Sequence, residues 1–291
     1  MSTLPTLPPA RASAPGYRPG RTLRLRVEAR RQVRRRRTMI VAGLLAALPL
    51  ILMAAFAIGG TPNGDGRNGP TLIDTATTSG ANFCATCLFV SAGFVLVVPV
   101  ALFCGDTVAS EAGWSSLRYL LAAPVPRARL LGVKFAVALG FSAAAVVLLP
   151  AVALAAGTVA YGWGDLQLPT GGTVAAGAAL PRLAVCVGYI FVSSLVTAAF
   201  AFWLSTVTDA PLGAVGGAVG LTIVGNVLDA VTALGSWREA LPAHWQFSWA
   251  DAIQPDMEWS GMIEGTSVSL SYAVVLTALA FRGFRAKDVV S

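Results

Sequence analysis

Long uncharged blocks of apolar residues dominate this sequence and limit what it can fold into. The first block, residues 39–59, holds no charged side chain, and five more apolar blocks follow it. A helix of roughly 20 apolar residues covers the ~30 Å hydrocarbon core of a bilayer. Only 12% of the 291 residues are charged, which is about half the share found in soluble domains. So few charges cannot cover a water-facing surface, so the sequence predicts an all-α, polytopic membrane protein.

The apolar blocks predict six transmembrane helices separated by polar, glycine- and proline-rich loops. We place these spans at about residues 39–59, 82–104, 130–161, 181–204, 211–231 and 265–281. Together they make one transmembrane domain over residues 39–281. Residues 282–291 form a short basic tail.

The segment before the first span has two parts. Residues 1–20 contain five prolines among Ser, Thr and Ala, a composition typical of a disordered tail. In residues 21–38 the prolines stop and arginines alternate with leucine and valine. This pattern predicts an amphipathic helix on the lipid headgroups, with snorkelling arginines. The amphipathicity is weak, so a charged linker is the alternative.

Basic residues lie mostly on one predicted side of the membrane. Eleven of the 21 precede residue 38, and a six-span topology puts 18 of the 21 on the side of the two termini. The positive-inside rule then predicts that both termini are cytoplasmic and that the chain lies in the cell membrane. Because the arginines stop where an apolar block starts, we interpret the arm as a partner of anionic lipids rather than of nucleic acid.

No catalytic constellation is evident in the sequence. The single histidine, His244, stands among tryptophans, and no G-x-x-x-x-G-K-[ST] loop is present to bind nucleotide phosphates. Cys84 and Cys87 lack a second pair or a nearby histidine, so we interpret them as small apolar residues at a helix start rather than as a zinc or redox site. Asp229, near the outer end of the fifth span, is predicted to reach interfacial water. We therefore predict no enzyme activity, no metal and no cofactor on this chain.

The fifth span is rich in glycine, and two G-x-x-x-G spacings overlap in it. The glycines are Gly213, Gly216, Gly217 and Gly220. Small residues allow the close helix contact that drives association in lipid. The contact can be with another span of the same chain or with a second subunit, and both readings are open.

Residues 232–264 are too polar to cross a membrane and too rich in tryptophan for a free loop. Tryptophan prefers the boundary between lipid and water. The sequence favours short half-inserted helices over the outer end of the bundle, with a plain aromatic belt as the alternative.

Residues 105–129 have a third pattern. Polar side chains, Glu111 and Arg118 among them, share one helical face, and leucines lie toward the other. This periodicity predicts an amphipathic helix at the interface between spans 2 and 3, rather than a crossing. Pro124 and Pro126 end it.

This stretch resembles the type-2 family of ABC-transporter permeases. An acidic residue, a glutamate, a Leu-Arg step, a Leu-Leu pair, a Pro-x-x-Arg and a lysine follow in the order usual for that family. The matching residues are Asp106, Glu111, Leu117, Arg118, Leu120, Leu121, Pro124, Arg127 and Lys134. The basic ending, residues 284–289, is also similar.

The resemblance implies an assembly of two permeases and two ATPases. Residues 105–127 would then be the element that couples to the ATPase, with a connecting helix at 21–37 and outer re-entrant helices at 232–264. Asp106, Glu111, Leu117, Arg118, Leu120, Leu121, Pro124 and Arg127 would be the coupling residues. ATP and Mg would bind to the partner ATPase.

The function that follows is that of the permease subunit of an ATP-driven exporter, paired with a second copy or a homologous permease. A nucleotide-independent channel or carrier and a non-transporting membrane scaffold are the alternatives. An adjacent ATPase gene would favour the first.

Overall fold

The computed structural model describes residues 24–59, 71–113, 126–169 and 171–286. Its eight α-helices carry most of these residues. They are α1 Leu25–Val33, α2 Arg36–Gly59, α3 Gly80–Ala92, α4 Val97–Gly113, α5 Arg127–Tyr161, α6 Ala176–Val207, α7 Pro211–Ala230 and α8 Ser260–Ala286. We call the end of the bundle that holds α1 the arm end, and the opposite end the loop end.

The expected all-α membrane fold is confirmed. Among the described residues, α2, α5, α6, α7 and α8 are long and apolar enough to cross a membrane, and the bent pair of α3 and α4 makes a sixth crossing if it is one span. At 1.5 Å per residue, the 35 residues of α5 extend about 52 Å. This length exceeds a hydrocarbon core of about 30 Å, so α5 projects beyond the membrane.

The N-terminal arm is helical where the structure describes it. In α1, Leu25, Val27 and Val33 are all more than half exposed, although they are its apolar residues. An arginine-rich helix with exposed apolar side chains suits a position along lipid headgroups. The short turn at residues 34–35 separates α1 from the apolar α2.

The second predicted span is not one straight helix. Helices α3 and α4 meet at a 51° bend, and α4 continues without interruption to Gly113. At the bend the Gln246 side-chain amide donates to the Ala92 carbonyl oxygen at 3.1 Å. A loop near the far end of the chain thus supplies a hydrogen bond that a broken helix end requires.

Glycines set the close packing of α3 against α5. A Cβ atom placed on Gly80 would lie 2.7 Å from the backbone nitrogen of Thr158, and one on Gly157 would lie 2.9 Å from the Cβ of Phe83. Neither position can accept a side chain without moving a helix. Dispersion between closely approaching backbones is the main attraction available between helices in lipid.

A two-stranded antiparallel sheet covers part of the loop end. Strand β1, Leu166–Gln167, pairs with β2, Thr173–Val174. The Asn82 side chain fixes the hairpin to α3, donating to the Gln167 carbonyl oxygen at 2.7 Å and accepting from the Gln167 amide at 2.9 Å.

The tryptophan-rich segment forms two 3₁₀ helices, Thr232–Ala240 and Ser248–Ile253. Its tryptophans do not act alike, because Trp249 is fully buried whereas Trp237 is 78% exposed. The second 3₁₀ helix packs on α6 and α8. The segment is thus built of short helices, part of it belongs to the core of the bundle, and their insertion into the membrane stays a prediction.

Candidate functional site

The arm end holds a buried group of ion-paired side chains, which we call the arm-end network. It joins α1, the start of α2, the last turns of α4 and the start of α5. Its members are Glu28, Arg31, Arg35, Arg37, Asp106, Glu111 and Lys134. Carboxylates and basic groups alternate through it, so each buried charge has an opposite charge beside it.

Lys134 is the centre of one half of the network. Its side chain is 3% exposed, and its Nζ lies 2.6 Å from Glu111 Oε1 and 3.1 Å from Glu28 Oε1. Arg31 approaches the same Glu111 oxygen at 3.2 Å. An unpaired charge in such a place costs several kcal/mol (about 3–5). Helices α1, α4 and α5 are thus held together by one lysine.

Asp106 is the centre of the other half. It is 2% exposed, its Oδ2 accepts from Arg35 Nη1 at 2.7 Å, and its Oδ1 pairs with Arg37. Arg35 and Arg37 keep 20% and 41% of their side-chain surface exposed. Each arginine can therefore serve a buried carboxylate on one side and water or lipid phosphate on the other.

The turn of α4 around Asp106 is also fixed from the far side of the bundle. The Ser205 hydroxyl of α6 accepts from the backbone amides of Val108 and Ala109 at 3.0 and 2.9 Å. At Gly105, an added Cβ would lie 3.2 Å from the backbone nitrogen of Val215 in α7. Helices α6 and α7 therefore contact the same short stretch of α4 that carries the arm-end network.

Three of the eight predicted coupling residues lie within the described residues, and the structure does not bring them together. Asp106 and Glu111 belong to the arm-end network, whereas Arg127 Nη1 donates to the Arg285 carbonyl oxygen at the end of α8, at 3.3 Å. The other five, Leu117, Arg118, Leu120, Leu121 and Pro124, lie outside the described residues.

Glu111, which its helical periodicity placed on a polar face, is only 3% exposed, and Asp106 of the family motif is 2% exposed. Their carboxylates are turned into the subunit, because the basic residues of the arm and of α5 surround them. A periodicity describes one helix and holds no information on charges elsewhere in the chain. The two carboxylates contact the arm and α5, and their coupling to an ATPase stays a prediction.

Five network members were absent from the predicted coupling residues, although the last of them belongs to the family motif: Glu28, Arg31, Arg35, Arg37 and Lys134. One signal could have pointed to the arm, since Glu28 is the only acidic residue among the first 64. A lone carboxylate in an arginine-rich helix is a candidate partner for a buried cation on another helix. Its partner Lys134 is 106 positions away, and no local pattern identifies it.

A comparison with known protein families identifies the family of this chain. A family model described as ABC-2 family transporter protein matches residues 32–229, more than half of the sequence. The chain belongs to the ABC-2 family. The matched region runs from before α2 to the last turn of α7, and it includes five members of the arm-end network, Arg35, Arg37, Asp106, Glu111 and Lys134. No curated protein sequence matches the chain.

The glycines of α7 in this ABC-2 permease have two kinds of surroundings. A Cβ on Gly217 would lie 2.7 Å from Leu204 Cδ1 of α6, whereas Gly216 and Gly220 have no atom within 4 Å of such a Cβ. Within the described residues Gly217 therefore serves internal packing, and Gly216 and Gly220 leave an open face. Contact with another span of the same chain is thus observed at Gly217, and contact with a second subunit stays a prediction.

A second ion-paired group, the loop-end cluster, lies at the opposite end of this permease. Asp229 Oδ1 is 2.7 Å from His244 Nδ1 and 3.3 Å from Arg238 Nε, and all three side chains are 24–28% exposed. Asp229 is thus paired as well as partly exposed. Cys84 and Cys87 lie buried in α3, and the described residues contain no group of three or more His, Cys, Asp or Glu suited to a metal.

Proposed function

We propose that the chain is the permease subunit of an ABC exporter, and that a separate ATPase docks at its arm end. The ATPase would bind ATP and Mg, and residues 105–127 would couple its movements to the membrane helices. Membership of the ABC-2 family supports the permease role. The arm-end network is the observation that carries the coupling hypothesis.

Coupling requires a rigid connection between the docking segment and the spans. We call residues 114–125 the docking segment. In the sequence it follows α4 directly, and residue 126 separates it from the start of α5. At that point Lys134 holds Glu111 of α4 and Glu28 of α1 together. Displacement of the docking segment would move α1, α4 and α5 as one body, and rigid-body motion of this kind alternates access in transporters.

In the proposed orientation the arm end faces the cytoplasm. The concentration of arginines in and before α1 supports it, because cytoplasmic segments carry the excess of positive charge. It places the loop-end cluster and the 3₁₀ helices outside the cell membrane. Cysteines introduced at Asp256 should then be labelled in intact cells by an impermeant reagent, and cysteines at Arg285 only after permeabilisation. The reverse pattern would overturn this orientation.

The coupling hypothesis distinguishes docking of the ATPase from transmission of its movement, and two variants test it with an ATPase that associates with the wild-type chain. Arg118→Glu should reduce co-purification of that ATPase while transport protein still accumulates in the membrane. The double variant Glu111→Gln, Lys134→Met should keep docking, since both changes are internal, but should lower ATP-driven transport in inverted vesicles. Full transport by both variants, or the absence of an ATPase that associates with the wild-type chain, would contradict the proposal.

We further propose that the permease pairs with a second copy about a two-fold axis through the open face of α7. Adjacent glycines provide a matched test. Gly216→Leu should reduce cross-linked dimer and leave subunit stability unchanged, because its Cβ meets open space. Gly217→Leu should lower subunit stability by about 1–3 kcal/mol through overpacking against Leu204. A fully active monomer with its ATPase, or pairing only with a different permease, would reject the homodimer.

A further inference from the structure

A cavity of about 330 Å³ lies between helices of the bundle and opens to its surface, away from the arm-end network. Helices α6 and α7 form its walls, and the bend between α3 and α4 lies on one side. Residues 241–243 and 246, between the two 3₁₀ helices, close it toward the loop end. Pockets for small molecules typically measure about 300–1,000 Å³, so this one suits a small ligand.

The lining is apolar with a few oxygen-bearing side chains. These are Ser193, Ser194, Thr197, Thr222, Gln246 and Tyr272, and no charged side chain is among the described residues that line the cavity. A buried ion without a partner would lose its hydration without compensation. The lining therefore selects against charged molecules.

The hydrogen bonds already made by these side chains determine which hydrogen-bonding group of a ligand they can still bind. Ser194 Oγ donates to the Phe191 carbonyl oxygen at 2.7 Å, and Thr222 Oγ1 lies 3.2 Å from the Ala218 carbonyl oxygen, to which it donates. Gln246 uses its amide nitrogen on Ala92. A hydroxyl oxygen has two lone pairs, and an amide oxygen also accepts. The lining therefore includes free hydrogen-bond acceptors, namely lone pairs of these hydroxyl oxygens and the amide oxygen of Gln246.

Residues 241–246, which we call the roof of the cavity, are held by polar contacts to three helices. Tyr189 Oη donates to the Trp245 carbonyl oxygen at 2.6 Å, His244 pairs with Asp229, and Gln246 bonds to Ala92. These contacts come from α6, α7 and the end of α3. They keep residues 241–246 in place over the apolar walls, so the cavity does not depend on the roof's own packing.

From these observations we propose that the cavity binds an uncharged lipophilic molecule that carries a hydrogen-bond donor, such as an aromatic or aliphatic alcohol. The apolar walls take the hydrocarbon part, and the Ser and Thr oxygens accept from its hydroxyl group. This inference goes beyond the proposed function, because binding of this kind requires neither ATP nor a partner ATPase.

Three matched photoprobes test the chemistry on purified wild-type permease in lipid nanodiscs without ATPase. They are para-(trifluoromethyl-diazirinyl)benzyl alcohol, the phenyl analogue without the hydroxymethyl group, and the benzylamine analogue, which is cationic at neutral pH. Mass spectrometry of the labelled peptides locates the adducts. We expect the alcohol to give saturable adducts within residues 190–200 and 218–228, the phenyl analogue to bind about twofold to tenfold more weakly, as the loss of one hydrogen bond predicts, and the amine to label neither region saturably.

Two variants and one control test the site itself. Ser193→Phe fills the cavity and should reduce saturable labelling about tenfold or more, which corresponds to a small loss of binding free energy. Ser271→Phe places the same side chain on an exposed part of α8 and should leave labelling unchanged. Thr222→Val removes an acceptor but keeps the shape, so it should weaken only the alcohol.

Some results would overturn the proposal. Non-saturable adducts spread over lipid-facing helices would show that the probe only partitions into lipid. Equal or stronger saturable labelling by the amine would reject the selection for uncharged ligands. If Ser193→Phe fails to fold, unchanged discrimination between the alcohol and the phenyl analogue in Thr222→Val would still reject the assigned acceptors.

Discussion

The arm-end network and the loop-end cluster are both built from carboxylates and basic side chains, but water reaches them to different extents. Lys134 and Glu111 in the arm-end network are 3% exposed, whereas Asp229, Arg238 and His244 are 24–28% exposed. Water partly hydrates the loop-end charges in the folded state, and it hydrates them fully after unfolding. The folded state therefore depends much less on their pairing.

Similar charge pairs can therefore make very different contributions to the free energy of unfolding. Removing one partner of a buried pair leaves a charge without water and without compensation, at about 3–5 kcal/mol. Removing one partner of an exposed pair costs about 0.2–1 kcal/mol. The arm-end network should therefore be essential for the position of α1 and α4, and the loop-end cluster should act mainly as a local restraint on residues 238–244.

The largest effect is expected for Lys134→Met. The variant leaves Glu111 and Glu28 without their buried cation, so the free energy of unfolding should fall by about 3–5 kcal/mol. Unfolding by SDS titration in mixed micelles measures it. Arg282→Met, an exposed arginine of α8, is the control.

Removing the stranded carboxylates should reverse the effect of Lys134→Met. Added Glu28→Gln and Glu111→Gln substitutions should recover a large part of the lost stability, because neutral amides cost less to bury than carboxylates. A Lys134→Met variant as stable as the Arg282→Met control would contradict the larger stabilisation assigned to the buried arm-end network.

The next effect is expected for Asp106→Asn. Asparagine keeps the shape but loses the charge that Arg35 and Arg37 contact. Hydrogen bonds that involve charged groups contribute about 1.5–3 kcal/mol, and we expect a loss in that range with faster hydrogen exchange in α1. Arg36→Met, a neighbouring exposed arginine, should change neither quantity. Equal effects of both variants would show that Asp106 does not hold the arm.

A smaller effect is expected for Asp229→Asn at the loop end. The loss of unfolding free energy should stay within about 0.2–1 kcal/mol, and it should shrink further at high salt, which screens exposed charges. Glu239→Gln, on the exposed side of the first 3₁₀ helix, is the matched control. A loss as large as that of Lys134→Met would reject the distinction between buried and exposed clusters.

The smallest effect concerns pH and Asp251 in the second 3₁₀ helix. Burial, and then the nearby charge of Glu258, raise the pKa of Asp251 above its ordinary value of 3.8. The folded state therefore favours the protonated carboxyl, and this contribution is present below pH 3.8 and lost as pH rises through the folded-state pKa.

Asp251→Asn should remove that pH dependence and raise stability at neutral pH by well under ~1 kcal/mol. Thermal unfolding from pH 4 to pH 7 measures the difference, and Asp256→Asn, at an exposed neighbouring position, is the control. A decrease in neutral-pH stability for Asp251→Asn alone would contradict the raised pKa.

The sequence by itself determined the membrane class and the approximate positions of the spans. Residues 39–59 lie in α2, residues 211–231 match α7 to within one residue, and residues 130–161 lie in α5, which starts three residues earlier. Span prediction succeeds because the bilayer imposes a local requirement, namely enough consecutive apolar residues to cross it. The motif between spans 2 and 3 also identified the family, since an ordered set of residue types is a property of sequence.

Only the tertiary structure decided how polar and small residues are used. Glu28 and Lys134 meet across 106 positions, and Gln246 bonds to the bend that Ala92 starts. Gly216 and Gly217 are neighbours with the same propensity, yet one has open space and the other has Leu204 against it. A charge or a glycine is placed by what packs beside it, and these neighbours come from distant segments, so no local pattern contains them.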